Sequence, residues 1–284
     1  MSSQNLKSSI EKLEQLKESE GLKMTQQTQS TQQTQRTRLK IVAAIPCYNE
    51  ARFIGEVVAK TKKYVDKVIV VDDGSRDGTE KIAESAGALI VNHRENKGYG
   101  EAIKSCFRAA KADGADILVT LDGDGQHDPE EIPRLLEPIL CGEADLVIGS
   151  RFLKPTQETQ KTGLTANCQL AMPRYRRFGI SVITWLFNLG SSFKVSDAQS
   201  GFRAYGRKAL EILSPGERGM GVSVEVLAKV GEKGLKVKEV PISCSYHPAS
   251  SSLNPAWHGL GVTLTLLKLR FKNMLHKLIR ADNA

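Results

Sequence analysis

The chain is predicted to be an α/β protein, with a mostly parallel central sheet and helices on both faces. Three observations predict it. From Leu39 onward, short apolar runs alternate with segments of helical spacing. The apolar runs are continuous, as in strands buried on both faces. Three of them end in polar loops, the feature of carboxyl strand edges where open α/β sheets bind ligands. With 284 residues and 40% hydrophobic content, one large domain or two small ones can bury a core.

The elements follow in order. Leu39–Ile45 reads as a strand ending in Pro46-Cys47-Tyr48-Asn49-Glu50. Ala51–Tyr64 has helical spacing through Phe53, Ile54, Val57 and Val58. Lys67–Val71 is a β-branched strand ending in Asp72-Asp73-Gly74-Ser75, and Thr79–Ala86 a helix capped by Asp77 or Thr79. Ala88–Val91 is a strand, and Asn96–Gly100 a turn into helix Glu101–Ala112. Ile117–Leu121 is a short buried strand, Pro129–Leu140 a helix capped by Asp128, and Leu146–Gly149 the next strand. Later, Gly179–Phe193 and Ser223–Gly234 read as helices and Leu235–Cys244 as a strand.

Both ends differ from this pattern. Thr25–Arg38 is nearly all Gln, Thr, Ser and Arg, so residues 1–38 are expected to be a mostly disordered arm. His258–Ala284 interleaves apolar residues with Lys268, Arg270, Lys272, Lys277 and Arg280, a net +4. It reads as a basic amphipathic helix that either lies on anionic lipid or packs on its own domain or a second subunit.

The whole chain carries +8, which suits a phosphate-rich partner. Its five cysteines are scattered and lack a C-x-x-C pair, as expected of reduced thiols in an intracellular protein. No signal-peptide core is visible, and no apolar run approaches the ~18–20 residues of a spanning helix. A soluble or peripheral cytoplasmic protein is therefore expected.

The chemistry concentrates at Leu121-Asp122-Gly123-Asp124-Gly125-Gln126-His127-Asp128-Pro129. Asp122 and Asp124 leave a strand end as like charges two residues apart. A hard divalent cation, Mg²⁺ or Mn²⁺, would relieve their repulsion. Gly123 and Gly125 allow a tight bend and a close ligand. A calcium EF-hand fails, because His127 and Pro133 stand where Gly and Glu are required. A polar turn explains Asp128 but not the Asp122/Asp124 pair. Gly98-Tyr99-Gly100 lacks the third glycine of a dinucleotide fingerprint, and no P-loop occurs.

Four motifs in order (Ile45–Glu50, Val70–Thr79, Asn96–Gly100 and Leu121–Gln126) resemble the family 2 glycosyltransferases of GT-A fold, and within them the dolichyl- or polyprenyl-phosphate mannose and glucose synthases. The resemblance covers about residues 39–245. It implies that Pro46, Tyr48 and Glu50 line a nucleoside pocket, with Asp73 at the base or ribose. It further implies that Asp122, Gly123, Asp124 and Gln126 meet the diphosphate of a nucleotide-sugar, with Asp122, Asp124 and Gln126 on the metal.

Beyond Ser150, Pro173-Arg174-Tyr175-Arg176-Arg177-Phe178 feeds the apolar stretch Gly179–Phe193. Arginines before an apolar helix suit a phosphate head with a lipid tail, though a core helix behind solvated charges reads equally well. The resemblance implies acceptor-phosphate contacts at Arg151 and Arg177, and at Arg174. Asp197–Arg203 resembles the family's S-G-F segment and places Ser200 on the acceptor side. Asp197 is either a base or orienting carboxylate or a turn aspartate. Val237–Ile242 is similar to the family's E-V-P-I edge, and Glu225 is a further site candidate. After that edge the match departs: Tyr246–Asn254 carries no Arg or Lys where many relatives do, which leaves His247 as a substitute phosphate contact or a surface histidine.

The expected organisation is an arm at 1–38, a GT-A domain at 39–247, and a loop with a basic helix at 248–284. The expected activity is inverting, metal-dependent transfer of a hexose from GDP-mannose or UDP-glucose to a polyprenyl or dolichyl phosphate. It would take place on the cytoplasmic membrane face, with the C-terminal helix on the lipid. Asp124, Arg151, Arg177 and Asp197 are the expected catalytic groups, and self-association is compatible with the sequence. A family member with a soluble or protein acceptor is the alternative. A nucleic-acid-binding protein is a remote one, since the acidic strand ends would repel phosphate.

Overall fold

The computed structural model describes residues 38–154 and 172–245, with Val262, Thr263, Thr265 and Lys268 of the C-terminal stretch. The arm at 1–37, Gln157–Thr165, His247 and most of the basic C-terminal segment lie outside the described residues.

Seven strands form one sheet: β1 (Ile41–Cys47), β2 (Lys67–Asp72), β3 (Leu89–Asn92), β4 (Ile117–Thr120), β5 (Leu146–Ser150), β6 (Arg203–Tyr205) and β7 (Val237–Pro241). Their order is β3-β2-β1-β4-β6-β5-β7. Every pairing is parallel except those of β6 with β4 and β5. The helices are α1 (Ile54–Thr61), α2 (Thr79–Ser85), α3 (Tyr99–Ala112), α4 (Ile132–Leu140), α5 (Arg174–Leu189), α6 (Arg207–Ile212) and α7 (Val222–Glu232).

The continuous apolar strands are buried on both faces. Val42, Ala44, Ile69, Val71 and Leu118 pack with residues of α3, α5, α6 and α7. Ala43, Ile45, Val68, Val70 and Val119 pack with residues of α1, α2 and α4 on the opposite side. β1 lies between β2 and β4, so the chain runs outward to β3 and then returns to the far side of β1. That makes β1/β4 a topological switch point, where an open α/β sheet leaves a crevice beyond its carboxyl ends.

Three features differ from the expected elements. Pro129–Glu131 is a 3₁₀ turn, its N-terminus capped by the Asp128 carboxylate, and the α-helix starts only at Ile132. α5 begins at Arg174, five residues before the expected start, so the arginine cluster forms its first turn. β6 and α6 were not expected. β6 has three residues, Arg203, Ala204 and Tyr205, too few for a period to show.

Leu118 is fully buried in the sheet's centre, whereas Leu89 on edge strand β3 is half exposed. Leu118→Ala should cost roughly 2–5 kcal/mol through lost transfer energy and a cavity, and Leu89→Ala under about 1 kcal/mol. Urea denaturation of both variants checks this, and equal losses would contradict the buried central strand.

Candidate active site

The first wall of the crevice is two loops stitched together. Asn49 N–H donates to Ser75 Oγ at 2.8 Å, and Arg76 N–H to Asn49 Oδ1 at 2.9 Å. Glu50 N–H donates to Thr79 Oγ1 at 2.8 Å, and Ala51 N–H to Asp77 Oδ2 at 3.0 Å. Asn49 adopts a left-handed backbone, φ +57°, which Asn tolerates better than most residues. Asp77 and Thr79 were expected as helix caps, but the N-cap of α2 is Gly78 without a side-chain cap, and the two side chains hold the β1 loop instead. Pro46 is buried in β1 opposite Val71, Tyr48 is exposed at the rim, and Glu50 is half-buried between them and the floor.

Asp73 is buried and clamps the next turn. Its carboxylate accepts Lys97 N–H at 3.0 Å and Gly98 N–H at 2.8 Å, and lies 2.6 Å from His93 Nδ1. His93 Nε2 in turn reaches Ser105 Oγ at 2.9 Å. The neighbouring Asp72 accepts Ser75 N–H at 3.0 Å.

The floor is the loop after β4. A Cβ on Gly123 would stand 2.4 Å from Cys47 Sγ, and one on Gly201 would stand 2.7 Å from Asp122 Oδ2. Only glycines let β1, β6 and this loop meet so closely. Tyr99 O–H donates to Asp122 Oδ1 at 3.2 Å. Gln126 grips Asp124 twice, through its N–H at 3.0 Å and Nε2 at 2.5 Å. His127 is buried against Phe202, ring centres 5.3 Å apart, with Nδ1 3.5 Å from Asp122 N. Burial pushes His127 down to about 4, so it is neutral at pH 7.

Three carboxylates therefore share one crevice. Burial raises Asp122, against the Tyr99 hydrogen bond and the Arg151 and Arg203 charges. Burial and then the Asp122 charge raise Asp124, against a group that includes Arg176. Burial, then Asp124, Asp122 and Asp77, push Glu50 up to about 7. Among the described residues, no three His, Cys, Asp or Glu side chains form a metal cage. A cation held by Asp122 and Asp124 would take its remaining oxygens from substrate phosphate, a habit of Mg²⁺.

The opposite wall begins where β5 ends. Arg151 Nε and Nη2 grip Asp197 at 2.7 and 2.9 Å, a bidentate pair with the carboxylate fully buried. Burial works to raise Asp197, but the Arg151 charge and hydrogen bonds overcome it and hold the carboxyl below its usual range. Glu239 on β7 braces this wall by accepting Ser196 N–H at 2.7 Å and Asp197 N–H at 3.1 Å. Ser200 is fully buried, with Oγ accepting Phe202 N–H at 3.3 Å. Arg174 and Arg177 stand exposed on the first turn of α5. Glu225 lies apart from the carboxylates, where it holds Gly216 N–H and Glu217 N–H at 2.9 Å.

The model of the family described as "Glycosyl transferase family 2" matches residues 42–212, more than half of the chain. The chain is a family 2 glycosyltransferase. It is 33% identical over 226 residues to the UDP-N-acetylglucosamine–dolichyl-phosphate N-acetylglucosaminyltransferase of Methanococcus voltae, covering 72% of this chain and 86% of that one. It is 32% identical over 219 residues to the undecaprenyl-phosphate mannosyltransferase of Micrococcus luteus, covering 72% and 83%. Among solved structures, glucosyl-3-phosphoglycerate synthase from Mycobacterium tuberculosis, in complex with Mn²⁺, UDP and glucosyl-3-phosphoglycerate, is similar with a TM-score of 0.60. That match has 25% identity and covers 81% of this chain and 80% of that one. The expected GT-A fold and glycosyltransferase activity both hold for this chain. Among the described residues, no helix is long and apolar enough to cross a membrane.

The glycosyltransferase fold thus brings Glu50, Asp122, Asp124 and Gln126 together, with the charge of Arg151 acting on Asp122. The sequence reading missed Tyr99, His127, Gly201, Arg176 and Glu239 as parts of this site. Tyr99 stood in the Asn96–Gly100 motif, which carried the family resemblance but gave Tyr99 itself no role. Glu239 stood in the edge motif without a role.

A carboxyl held low in the native state contributes stability above its unfolded value, about 4. That contribution is lost as pH falls through the lower native value. Asp197→Ala should therefore cost roughly 3–5 kcal/mol near pH 7, where it strips the carboxylate from a largely buried guanidinium. The gap to wild type should narrow below about pH 4. Denaturation titrations at several pH values test this, and a gap independent of pH would show that the ion pair is not its source.

Proposed function

We propose that this glycosyltransferase moves a hexose from a nucleotide-sugar, GDP-mannose or UDP-glucose, to a polyprenyl or dolichyl phosphate. The transfer inverts the anomeric carbon, requires Mg²⁺ or Mn²⁺, and occurs at the cytoplasmic face of a membrane. The observation that carries this reading is the crevice itself. Carboxylates Asp122 and Asp124 stand at the switch point, with Arg151 close enough for its charge to act on Asp122. The relatives named for dolichyl and undecaprenyl phosphate support the acceptor class. The M. voltae relative adds UDP-N-acetylglucosamine to the donors worth testing.

The donor set fits a hard divalent ion. Asp122 and Asp124 would hold it, with Gln126 aligning Asp124 and offering its amide oxygen. When bound, the ion neutralises the nucleoside diphosphate leaving group. Pro46, Tyr48 and Glu50 line the nucleoside side. Asp73 shapes that pocket by fixing the Lys97–Gly98 turn, and Gly123 admits the diphosphate.

On the other wall, Arg151 orients the acceptor phosphate, with Arg177 and Arg174 approaching from α5. Asp197 acts by positioning Arg151. Its carboxylate is fully buried, and Arg151 holds its two oxygens, which suits an orienting group better than a proton acceptor. No strong base is needed, because a phosphate monoester is largely dianionic near pH 7. Alignment of that dianion opposite the leaving diphosphate supplies the in-line geometry that inverts the sugar. Ser200 serves the turn beneath this wall.

One observation favours a second reading, a small soluble phosphate acceptor: the solved neighbour is a glucosyl-3-phosphoglycerate synthase.

Purified protein with Mn²⁺, labelled nucleotide-sugars and polyprenyl phosphate should yield glycolipid, whereas 3-phosphoglycerate should not accept sugar. The absence of glycolipid with every donor, beside a working synthase control, would refute the lipid reading. Asp124→Asn should lower turnover on the order of 10³-fold or more, consistent with several kcal/mol of lost charge stabilisation, and leave the unfolding midpoint nearly unchanged. Wild-type turnover in that variant would remove the metal role.

A further inference from the structure

Helix α5 is apolar on two opposite sides. Ile183 and Phe187 are buried in the domain core. Tyr175, Phe178, Val182, Trp185 and Leu189 are exposed, at 59, 71, 37, 60 and 56%. At about 100° per residue they fall within an arc of roughly 80°, centred about 140° around the helix from the buried pair. Exposed large side chains scattered singly are ordinary, but a continuous stripe of them, three of the five aromatic, marks an interaction surface.

The charge around the stripe selects its occupant. Arg174, Arg176 and Arg177 form the first turn, and no acidic residue occurs between Pro173 and Ser196. Among the described residues, no side chain caps the helix N-terminus either. Three cations at the positive end of a helix dipole repel it, and an anion there relieves the strain. A second copy of the chain would not supply one. Parallel pairing of two α5 helices sets arginine cluster against arginine cluster. Antiparallel pairing sets each cluster near the partner's Leu189–Lys194 end, which is also basic and lacks carboxylates. Anionic lipid headgroups supply the negative charge, and the acyl boundary accepts Tyr, Phe, Trp and Leu. The C-terminal segment does not compete in its described part: Val262 belongs to the domain core and Thr265 is buried beside Gly221.

We infer that α5 is the membrane-docking helix, lying in the plane of an anionic bilayer with Phe178 and Trp185 inserted beneath the headgroups. This deepens the lipid-phosphate reading. The arginines that meet the headgroups continue towards the crevice, where the charge of Arg176 already acts on Asp124. A lipid phosphate reaching the site would thus stay in the bilayer while only its head is extracted.

Full-length protein should co-sediment with mixed phosphatidylcholine/phosphatidylglycerol vesicles and not with phosphatidylcholine alone. Phe178→Ser with Trp185→Ser should weaken vesicle binding at least tenfold, with an unchanged circular dichroism spectrum because both side chains are exposed. In a Trp257→Phe background, the emission of Trp185 should shift to the blue on adding the anionic vesicles. The double variant should keep wild-type turnover on a short, water-soluble prenyl phosphate and lose it on a long-chain acceptor in vesicles. Vesicle binding in the double variant equal to wild type would overturn the inference. So would a dimer in light scattering that the double variant converts to monomer. If vesicles bind through the stripe but no prenyl phosphate accepts sugar, the docking surface stands and the acceptor reading falls.

Discussion

Glu50, Asp122 and Asp124 share one crevice, and their mutual repulsion is the constraint that the rest of the site serves. Each pair of like charges in near contact costs on the order of 1 kcal/mol or more, even with water nearby. The fold keeps that cost in place instead of letting the loop relax. Gly123 packs on Cys47, Gly201 packs on Asp122, Tyr99 donates to Asp122, and Gln126 holds Asp124 from two atoms. A crevice that remains acidic in this way favours a cation accompanied by phosphate and disfavours phosphate alone. On the proposed reading, a metal and a nucleotide would be linked in binding, each lowering the cost of the other.

The wall built from the loops after β1 and β2 uses a different device. Its loops are joined by hydrogen bonds from backbone N–H groups to Ser75, Asn49, Thr79 and Asp77 side chains. Asp73 closes the adjoining turn in the same way. Loops that lie on the surface must satisfy their own backbone groups. Here the satisfaction is mutual, so the shape of the pocket is set before any ligand arrives. Ordering cost that a looser loop would incur on binding is thereby reduced.

Much of this was legible in the sequence. The parallel strands β1, β2, β4 and β5 are apolar runs long enough to stand out, and the carboxylates sit directly at strand ends. The misses have physical reasons. Arg174–Phe178 is polar enough to look like a loop, yet its i, i+3 pattern continues the stripe of α5. Tyr99 and His127 act through tertiary contacts with Asp122, which no local pattern reports. Glu239 follows the exposed Lys238 on an edge strand and resembles an exposed charge, although it holds Ser196 and Asp197.

The least legible element has the largest consequence. β6 enters the sheet antiparallel between β4 and β5, which places the segment before it across the end of the crevice. Gly201 in that segment packs against Asp122 on one wall, while Asp197 accepts the two hydrogen bonds of Arg151 on the other. Only three residues lie between Asp197 and Gly201. Phe202 packs beneath them against His127, and Arg203 ties the segment to Ala198 O and Ser223 O at 3.0 Å. One short, buried piece of chain thus sets the spacing between the Asp122/Asp124 carboxylates and Arg151. A parallel strand at that position would enter from the opposite edge and carry its loop away from the crevice. The antiparallel insertion is therefore the structural reason that Asp122 and Arg151 meet at a fixed distance, which the proposed in-line transfer between two phosphates would require.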